Sequence, residues 1–333
     1  MKIEKTIEAV MTEILKEELD QPTLFKKLEA FKLFLLEVTG LDLNNLDDRK
    51  DIQFENGIAL STTFAALCIN DIMRTRQFMR GIYQAIKDKL YQNTKPVHLF
   101  YAGTGPFATL ILPILTRFSP KEIQLTLLDV NQKTLEYLNL VIEELSIGDY
   151  IDQIICADAS IYQFDQNQKI DVLVSETMQY GLVKEQQVPI MINLVTQLSK
   201  EAIVIPNNIQ LDLAHRNLSS NLLLEGKNHL MYKRLKKLLD FTPEFIHALN
   251  GNGKEQKRFE LCENIDFSED KGSYNTLVIL TAIQVYKEEW IHVDLSSLTI
   301  PKTLFLFDRE RDKTEISISY VIKQQPDFEF ELN

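Results

Sequence analysis

From residue 97 to residue 205 the chain repeats one theme: a short apolar run, a turn, then a stretch with apolar residues at helical spacing. The apolar runs fall at 97–101, 125–129, 151–156, 170–174 and 202–205. Helical spacing marks 109–117, 132–145 and 188–198 between them. An apolar run without alternation suits a strand buried on both faces, and strands separated by helices pair in parallel because each connection crosses over. The fold class that follows is α/β, a Rossmann-like parallel sheet with helices on both faces.

The flanks read differently. Ile3, Ile7, Val10, Met11 and Ile14, then Leu24, Leu28, Phe31, Leu35 and Val38, recur three and four residues apart, and a further helical pattern runs over 62–90. Residues 1–94 are therefore expected to be a helical region, and 95–206 the Rossmann-like core. Beyond Pro206, strand patterns at 209–214, 276–286, 303–307 and 315–322 predict a mostly antiparallel β domain over 207–333, with a helical insertion at about 219–239.

At 333 residues the chain suits two domains, or one large core with additions, and has length for an enzyme. The net charge of -12 and the lack of a long basic stripe argue against a nucleic-acid partner, and Lys233-Arg234-Leu235-Lys236-Lys237 reads as the solvated face of a helix. No run of eighteen apolar residues predicts a membrane span, and 1–20 lacks the basic-then-apolar order of a signal peptide. Cys68, Cys156 and Cys262 are widely spaced, which points to a reducing, cytoplasmic compartment. Neither they nor the five histidines have metal-ligand spacing, so no metal is expected.

Ligands of open α/β sheets lie beyond the carboxyl ends of the strands. There, after the first strand, stands Gly103-Thr104-Gly105, in a chain whose 11 glycines are about half the usual share of roughly 7%. Asp129 ends the second strand, where a carboxylate suits a ribose diol, and Asp158 beside Ala159 follows the third, where it suits an adenine amino group. An Asp after a strand is also the commonest turn or helix cap. Ala108 stands where a full Gly-x-Gly-x-x-Gly would end, and no Gly-Lys-Ser/Thr follows, so neither a dinucleotide nor a P-loop is supported. S-adenosylmethionine, with no pyrophosphate to cradle, needs less. After the fourth strand, Glu176 and Glu185 lie nine residues apart on one loop, an arrangement suited to a planar cation.

Together these segments resemble the class I methyltransferase core of the protein arginine methyltransferases. Glu176, Met178, Tyr180 and Glu185 match the four marked positions of that family's double-glutamate loop. Asp71-Ile72-Met73-Arg74-Thr75, with Gly81-Ile82-Tyr83 after it, is similar to the helix before its first strand, and Ile205-Pro206-Asn207-Asn208 to its strand-to-barrel junction. The resemblance implies S-adenosyl-L-methionine as cofactor, held by Arg74, Gly103, Thr104, Gly105, Asp129, Asp158 and Ala159. Glu176 and Glu185 would grip a guanidino group, Met178 and Tyr180 would wall the pocket, and a helical arm in the β domain would join a homodimer.

The chain also departs from the family. Tyr101 replaces the usual first glycine and Leu99 a frequent acid; the aromatic pair upstream of Arg74 is not evident, and Leu298-Thr299-Ile300 lies where Thr-His-Trp is usual. The missing Thr-His-Trp element and the long helical prefix favour free L-arginine or another small guanidino compound as substrate. Protein or peptide arginine is the alternative, and a non-catalytic cofactor-binding or scaffold protein the further one.

Overall fold

The computed structural model describes residues 2–92, 96–165, 168–217, 231–249, 256–267, 276–306 and 314–333. It begins with a pair of helices, α1 (Lys2–Ile14) and α2 (Gln21–Thr39), whose apolar stripes, among them Val10, Met11, Ile14, Leu24, Phe31 and Leu35, are fully buried. Asp20 starts α2 by accepting the Thr23 N–H at 3.1 Å, and Gly40, at φ 64°, ends it with an N–H bond to the Leu36 carbonyl.

A feature outside the sequence expectation follows. Strands β1 (Ile52–Phe54) and β2 (Gly57–Ala59) form a hairpin inside the region expected to be helical. Its two-residue turn is Glu55-Asn56, and Gly57, which opens β2 opposite Phe54, has φ 144°, a conformation that glycine adopts without strain. The helical pattern over 62–90 divides into α3 (Thr62–Leu67), a 3-10 turn over Cys68–Asn70, and α4 (Ile72–Gln92).

The parallel sheet comprises β3 (Val97–Ala102), β4 (Ile123–Asp129), β5 (Ile151–Cys156), β6 (Val172–Ser175) and β7 (Ile203–Ile205), in the order β5-β4-β3-β6-β7. The chain moves outward from β3 to β5, then crosses back to place β6 on the other side of β3. That reversal opens a crevice beyond the carboxyl ends of β3 and β6, where the glycine turn and the two-glutamate loop begin. Helices α5 (Gln132–Glu144) and α6 (Gln187–Val195) complete the crossovers.

The expectation of a helix over 109–117 needs correction. Only a 3-10 segment forms there, Leu112–Arg117. Ala108 has φ 43°, and Pro113 contributes no N–H, so an α-helical ladder cannot start at the glycine turn. No α-helix dipole is aimed at the turn from this segment.

The carboxy-terminal part has strands β8 (Asn208–Arg216), β9 (Tyr232–Phe241), β10 (Arg258–Asp266), β11 (Thr276–Tyr286), β12 (Glu289–Ile291), β13 (Lys302–Leu306), β14 (Glu315–Val321) and β15 (Asp327–Leu332). They build two antiparallel sheets, β12-β11-β8-β9 with β13 also on β11, and β10-β14-β15. The helical insertion expected at 219–239 is corrected in part: Tyr232–Phe241 is strand β9, paired along β8, while 218–230 lie outside the described residues. Two register shifts in this pair spoil the period-2 alternation, so the charged run 233–237 imitates a helix in sequence. Among the described residues, no helix is long and apolar enough to cross a membrane.

Helix α4 joins the parallel sheet to the β region. Gly81 lets it approach β11 so closely that a Cβ there would lie 2.6 Å from Val285 Cγ1. Arg80 Nε donates to Glu289 at 2.7 Å, and at the amino end Asp71 accepts the Arg74 N–H at 3.0 Å. The other Asp71 oxygen receives the Ser296 hydroxyl at 2.7 Å and the N–H and hydroxyl of Ser297 at 2.7 and 2.6 Å. Burial alone would raise this carboxyl; the bonds from Ser297, Arg74 and Ser296 hold it below its ordinary value. Asp71→Ala removes both the cap and the link, and is expected to cost about 1–3 kcal/mol, lowering the urea midpoint. An unchanged midpoint would show that this link carries no stability.

Candidate active site between the glycine turn and the acid loop

The loop that follows β6 leaves the sheet as Glu176 and returns to α6 after Glu185. Its backbone is unusual: Gly181, Leu182 and Lys184 all have positive φ, at 64°, 58° and 67°. A non-glycine residue in this region costs on the order of 1 kcal/mol or more, so the surroundings must hold it. They do so from the β region. The Tyr320 hydroxyl donates to the Leu182 carbonyl at 2.6 Å, Gly181 N–H to the Thr281 hydroxyl at 3.0 Å, and Lys184 N–H to the Pro326 carbonyl at 2.8 Å.

Two residues not singled out from the sequence brace the loop from inside. Gln187 Oε1 accepts both the N–H and the hydroxyl of Thr177, at 2.9 and 2.8 Å, while its amide donates to the Ser175 carbonyl at 3.1 Å. Asn56, at the tip of the β1–β2 hairpin, accepts from Gln186 at 2.7 Å and donates to Ser160 at 3.0 Å. The hairpin also runs beside the second glutamate: Ile58 N–H donates to the Lys184 carbonyl at 2.9 Å, and Ile58 forms a parallel bridge with Glu185. A Cβ on Gly57 would stand 2.8 Å from the Gln186 side chain. The Asn56-Gly57 dipeptide is the available sequence signal for this element.

Both glutamates are buried, Glu176 at 8% exposure and Glu185 at 5%. Their partners differ. Glu176 forms an ion pair with Arg74, whose other terminal nitrogen donates to the Cys68 carbonyl at 3.2 Å. Glu185 Oε1 has no hydrogen-bond partner among the described residues. Burial drives its carboxyl up to about 7, against the opposing pull of Gln179 and of the Arg74 charge.

One cavity of about 880 Å³ lies against both acids. Arg74, Gly103, Thr104, Gly105, Asp129 and Ala159 line it on the sheet side, and Met178 and Tyr180 join Glu176 and Glu185 on the loop side. Gly103 (φ 79°) and Gly105 (φ 60°) have the conformation that favours glycine, and a Cβ on Gly103 would fall inside the Thr177 methyl. Asp129 accepts the Gly105 N–H and the Asn131 N–H, both at 3.0 Å; burial raises its carboxyl against these bonds. Asp158 does not line the cavity. Its carboxylate accepts the Ser160 N–H at 2.8 Å, closing a turn as an Asp after a strand often does.

The site thus sets Arg74, the glycine turn and Asp129 on one side and the two glutamates on the other, around one cavity that is open to solvent. No family model matches the sequence. No curated protein matches it either. Among solved structures the chain is similar to a Trypanosoma brucei PRMT1 enzyme–prozyme heterotetrameric complex with AdoHcy. The identity is 13%, the TM-score 0.48, and the alignment covers 80% of this chain and 91% of that one. At that distance the neighbour adds nothing to what the sheet order and the cavity say for themselves.

Two outcomes follow from this geometry. Gly103→Ala should destabilise the fold by about 1–3 kcal/mol through strain and the Thr177 clash, and Thr177→Ser should restore part of it; full additivity of the two changes would exclude the contact. For Glu185, the folded value of about 7 stands above the ordinary 4.5, so wild type loses stability as pH rises from about 5 through 7. Glu185→Gln should therefore unfold later than wild type at pH 8, by on the order of 3 kcal/mol, with the gap closing toward pH 5. Equal stability at pH 8 would mean the carboxylate is better solvated than its burial implies.

Proposed function

We propose that the chain is an S-adenosylmethionine-dependent N-methyltransferase acting on a guanidino nitrogen, that of free L-arginine or another small guanidino compound. The observation that carries this reading is the pair of buried carboxylates, Glu176 and Glu185, opening on the same cavity as the glycine turn and Asp129. The cofactor fits the residues present. The cavity has room for it, Arg74 keeps a buried Nε without a partner among the described residues, and Gly103 and Gly105 add no side chain on either side of Thr104 in the turn.

In this reading Arg74 would hold the cofactor's carboxylate, Gly103, Thr104 and Gly105 would border it, Asp129 would take the ribose diol, and Ala159 would border the adenine, while Asp158 serves the turn behind it. The cofactor supplies an electrophilic methyl on a sulfonium. A guanidinium is planar and delocalised, so its nitrogens are weak nucleophiles. Glu176 and Glu185 accept its N–H bonds, draw positive charge from one nitrogen and fix the direction of its lone pair, so catalysis is chiefly orientation and electrostatics. Met178 and Tyr180 wall the reacting centre. Glu185, with a carboxyl near 7, is also suited to receive the proton released. Homodimer assembly and a cytoplasmic setting, in which Cys68, Cys156 and Cys262 stay free thiols, belong to the same proposal.

A second reading, arginine within a peptide, is favoured by the cavity's rim. Phe64, Leu295 and Ile300 line the cavity yet remain 43%, 48% and 48% exposed, an apolar collar that a free amino acid would not cover.

Mass spectrometry after incubation with S-adenosylmethionine and either L-arginine or an arginine-rich peptide pool separates these readings. Methylation of the free amino acid alone supports the first, of peptides alone the second, and silence on both contradicts the guanidino assignment. Whichever substrate reacts, Glu185→Gln should lower kcat/KM by about 10² or more; near-normal activity would move the nucleophile to another amine or a hydroxyl. In wild type, kcat/KM should rise with pH through about 7 as Glu185 ionises, and a flat profile from pH 6 to 8 would contradict its role.

A further inference from the structure

Gln186, the residue after Glu185, stands at the amino-terminal cap of α6, a position where Ser, Thr, Asp or Asn is favoured. It makes no side-chain cap hydrogen bond. The residue is 3% exposed, and its amide donates instead to Asn56 Oδ1 at 2.7 Å. A buried amide that leaves its own helix end uncapped and reaches another element is spent on that partner.

Asn56 uses its other end as well. Its Nδ2 donates to the Ser160 hydroxyl at 3.0 Å, in the turn after β5 whose Ala159 lines the cavity. One side chain thus spans from the sheet side of the cavity to the residue beside Glu185. The backbone around it leaves little slack, because Ile58 N–H donates to the Lys184 carbonyl at 2.9 Å and Ile58 forms its bridge with Glu185. Asn193 of α6 ties the same turn a second time, donating to the Ala159 carbonyl at 2.9 Å. Of the two ties, the Asn56 bridge is the one next to Glu185.

We propose that Asn56 is a positioning residue for Glu185, holding the acid loop through Gln186 and the turn at 158–160 through the Ser160 hydroxyl, so that the second glutamate keeps one fixed place across the cavity from that turn. Its catalytic consequence rests on the guanidino reading above, whereas the bridge stands on geometry. With Asn56 truncated, the buried Gln186 amide loses this acceptor, and the desolvation penalty of an unpaired donor outweighs the bond itself. The loop recovers that penalty by turning Gln186 to water, which brings water to Glu185. A solvated carboxyl returns toward its ordinary value. The charged and titratable groups around Glu185 are Arg74 of α4, Cys68 of the 3-10 turn before it, Asp51 ahead of β1 and Lys184 on its own loop, and the substitution leaves all four in place.

The test follows the Glu185 carboxyl by carbon NMR in selectively labelled full-length protein, as wild type, Asn56→Ala and Asn56→Asp, with circular dichroism verifying the fold. Asn56→Ala should lower the midpoint from about 7 toward the ordinary 4.5. An aspartate still accepts the Gln186 amide, and the Ser160 hydroxyl can turn to donate to it, so Asn56→Asp should keep the midpoint at or above the wild-type value. For whichever guanidino substrate reacts, kcat/KM should fall about tenfold in Asn56→Ala and recover in Asn56→Asp. An unchanged midpoint in Asn56→Ala, an equal fall in both variants, a wild-type midpoint already near 4.5, or full activity of Asn56→Ala overturns the proposal. Should Asn56→Ala fail to fold, Ser160→Ala cuts the same bridge at its far end and must lower the midpoint too; no change there overturns the proposal equally. Midpoints that move as expected in a protein that methylates no guanidino compound support the bridge and remove the guanidino reading.

Discussion

A buried carboxyl with an oxygen left unpartnered is a costly group for a fold to hold, and the surroundings of Glu185, whose Oε1 has no hydrogen-bond partner among the described residues, keep one in place. Left free, the loop would turn the side chain to water. It is prevented by grips from three directions: the β1–β2 hairpin at Lys184 and Gln186, Gln187 at the loop's root, and Tyr320, Thr281 and Pro326 of the antiparallel sheets. These contacts also retain positive φ at Leu182 and Lys184. Backbone strain and a desolvated charge in one ten-residue loop are what a binding site tolerates and a purely structural loop avoids.

The sheet order explains why this loop meets a glycine turn at all. β3 and β6 are neighbours although two other strands intervene in sequence, so the segments leaving their carboxyl ends share one crevice. Gly103 then permits direct packing on Thr177 of the acid loop. Arg74 enters from α4 and closes on Glu176, and Asp71, one turn earlier, fixes that helix end to Ser296 and Ser297. The site therefore draws on all three parts of the chain, and the β region acts as a clamp on the acid loop as well as a wall of the cavity.

Much of this was readable in the sequence, because the buried parallel strands leave unbroken apolar runs and the long amphipathic helices leave regular stripes. Strand β11 falls on its expected bounds, and the candidate site residues other than Asp158 converge on one cavity. What escaped has specific causes. The β1–β2 hairpin has strands of three residues, too short for periodicity, and only Asn56-Gly57 marks it. Strand β9 carries register shifts that give a charged run a helix-like spacing. The segment after the glycine turn has helical apolar spacing, but Ala108 and Pro113 set its backbone otherwise. Burial of Glu185 is a tertiary effect: nothing local distinguishes it from the exposed Lys184 beside it.

The most direct test of the account is the titration of the Glu185 carboxyl itself, followed by carbon NMR in selectively labelled protein with and without L-arginine or an arginine peptide. The account predicts a midpoint near 7 in the free protein and a marked fall when the guanidinium binds, because a cation beside a buried carboxylate favours its charged form. A midpoint near the ordinary 4.5, or one that ignores the guanidinium, would contradict the claim that this acid is held ready for a cation.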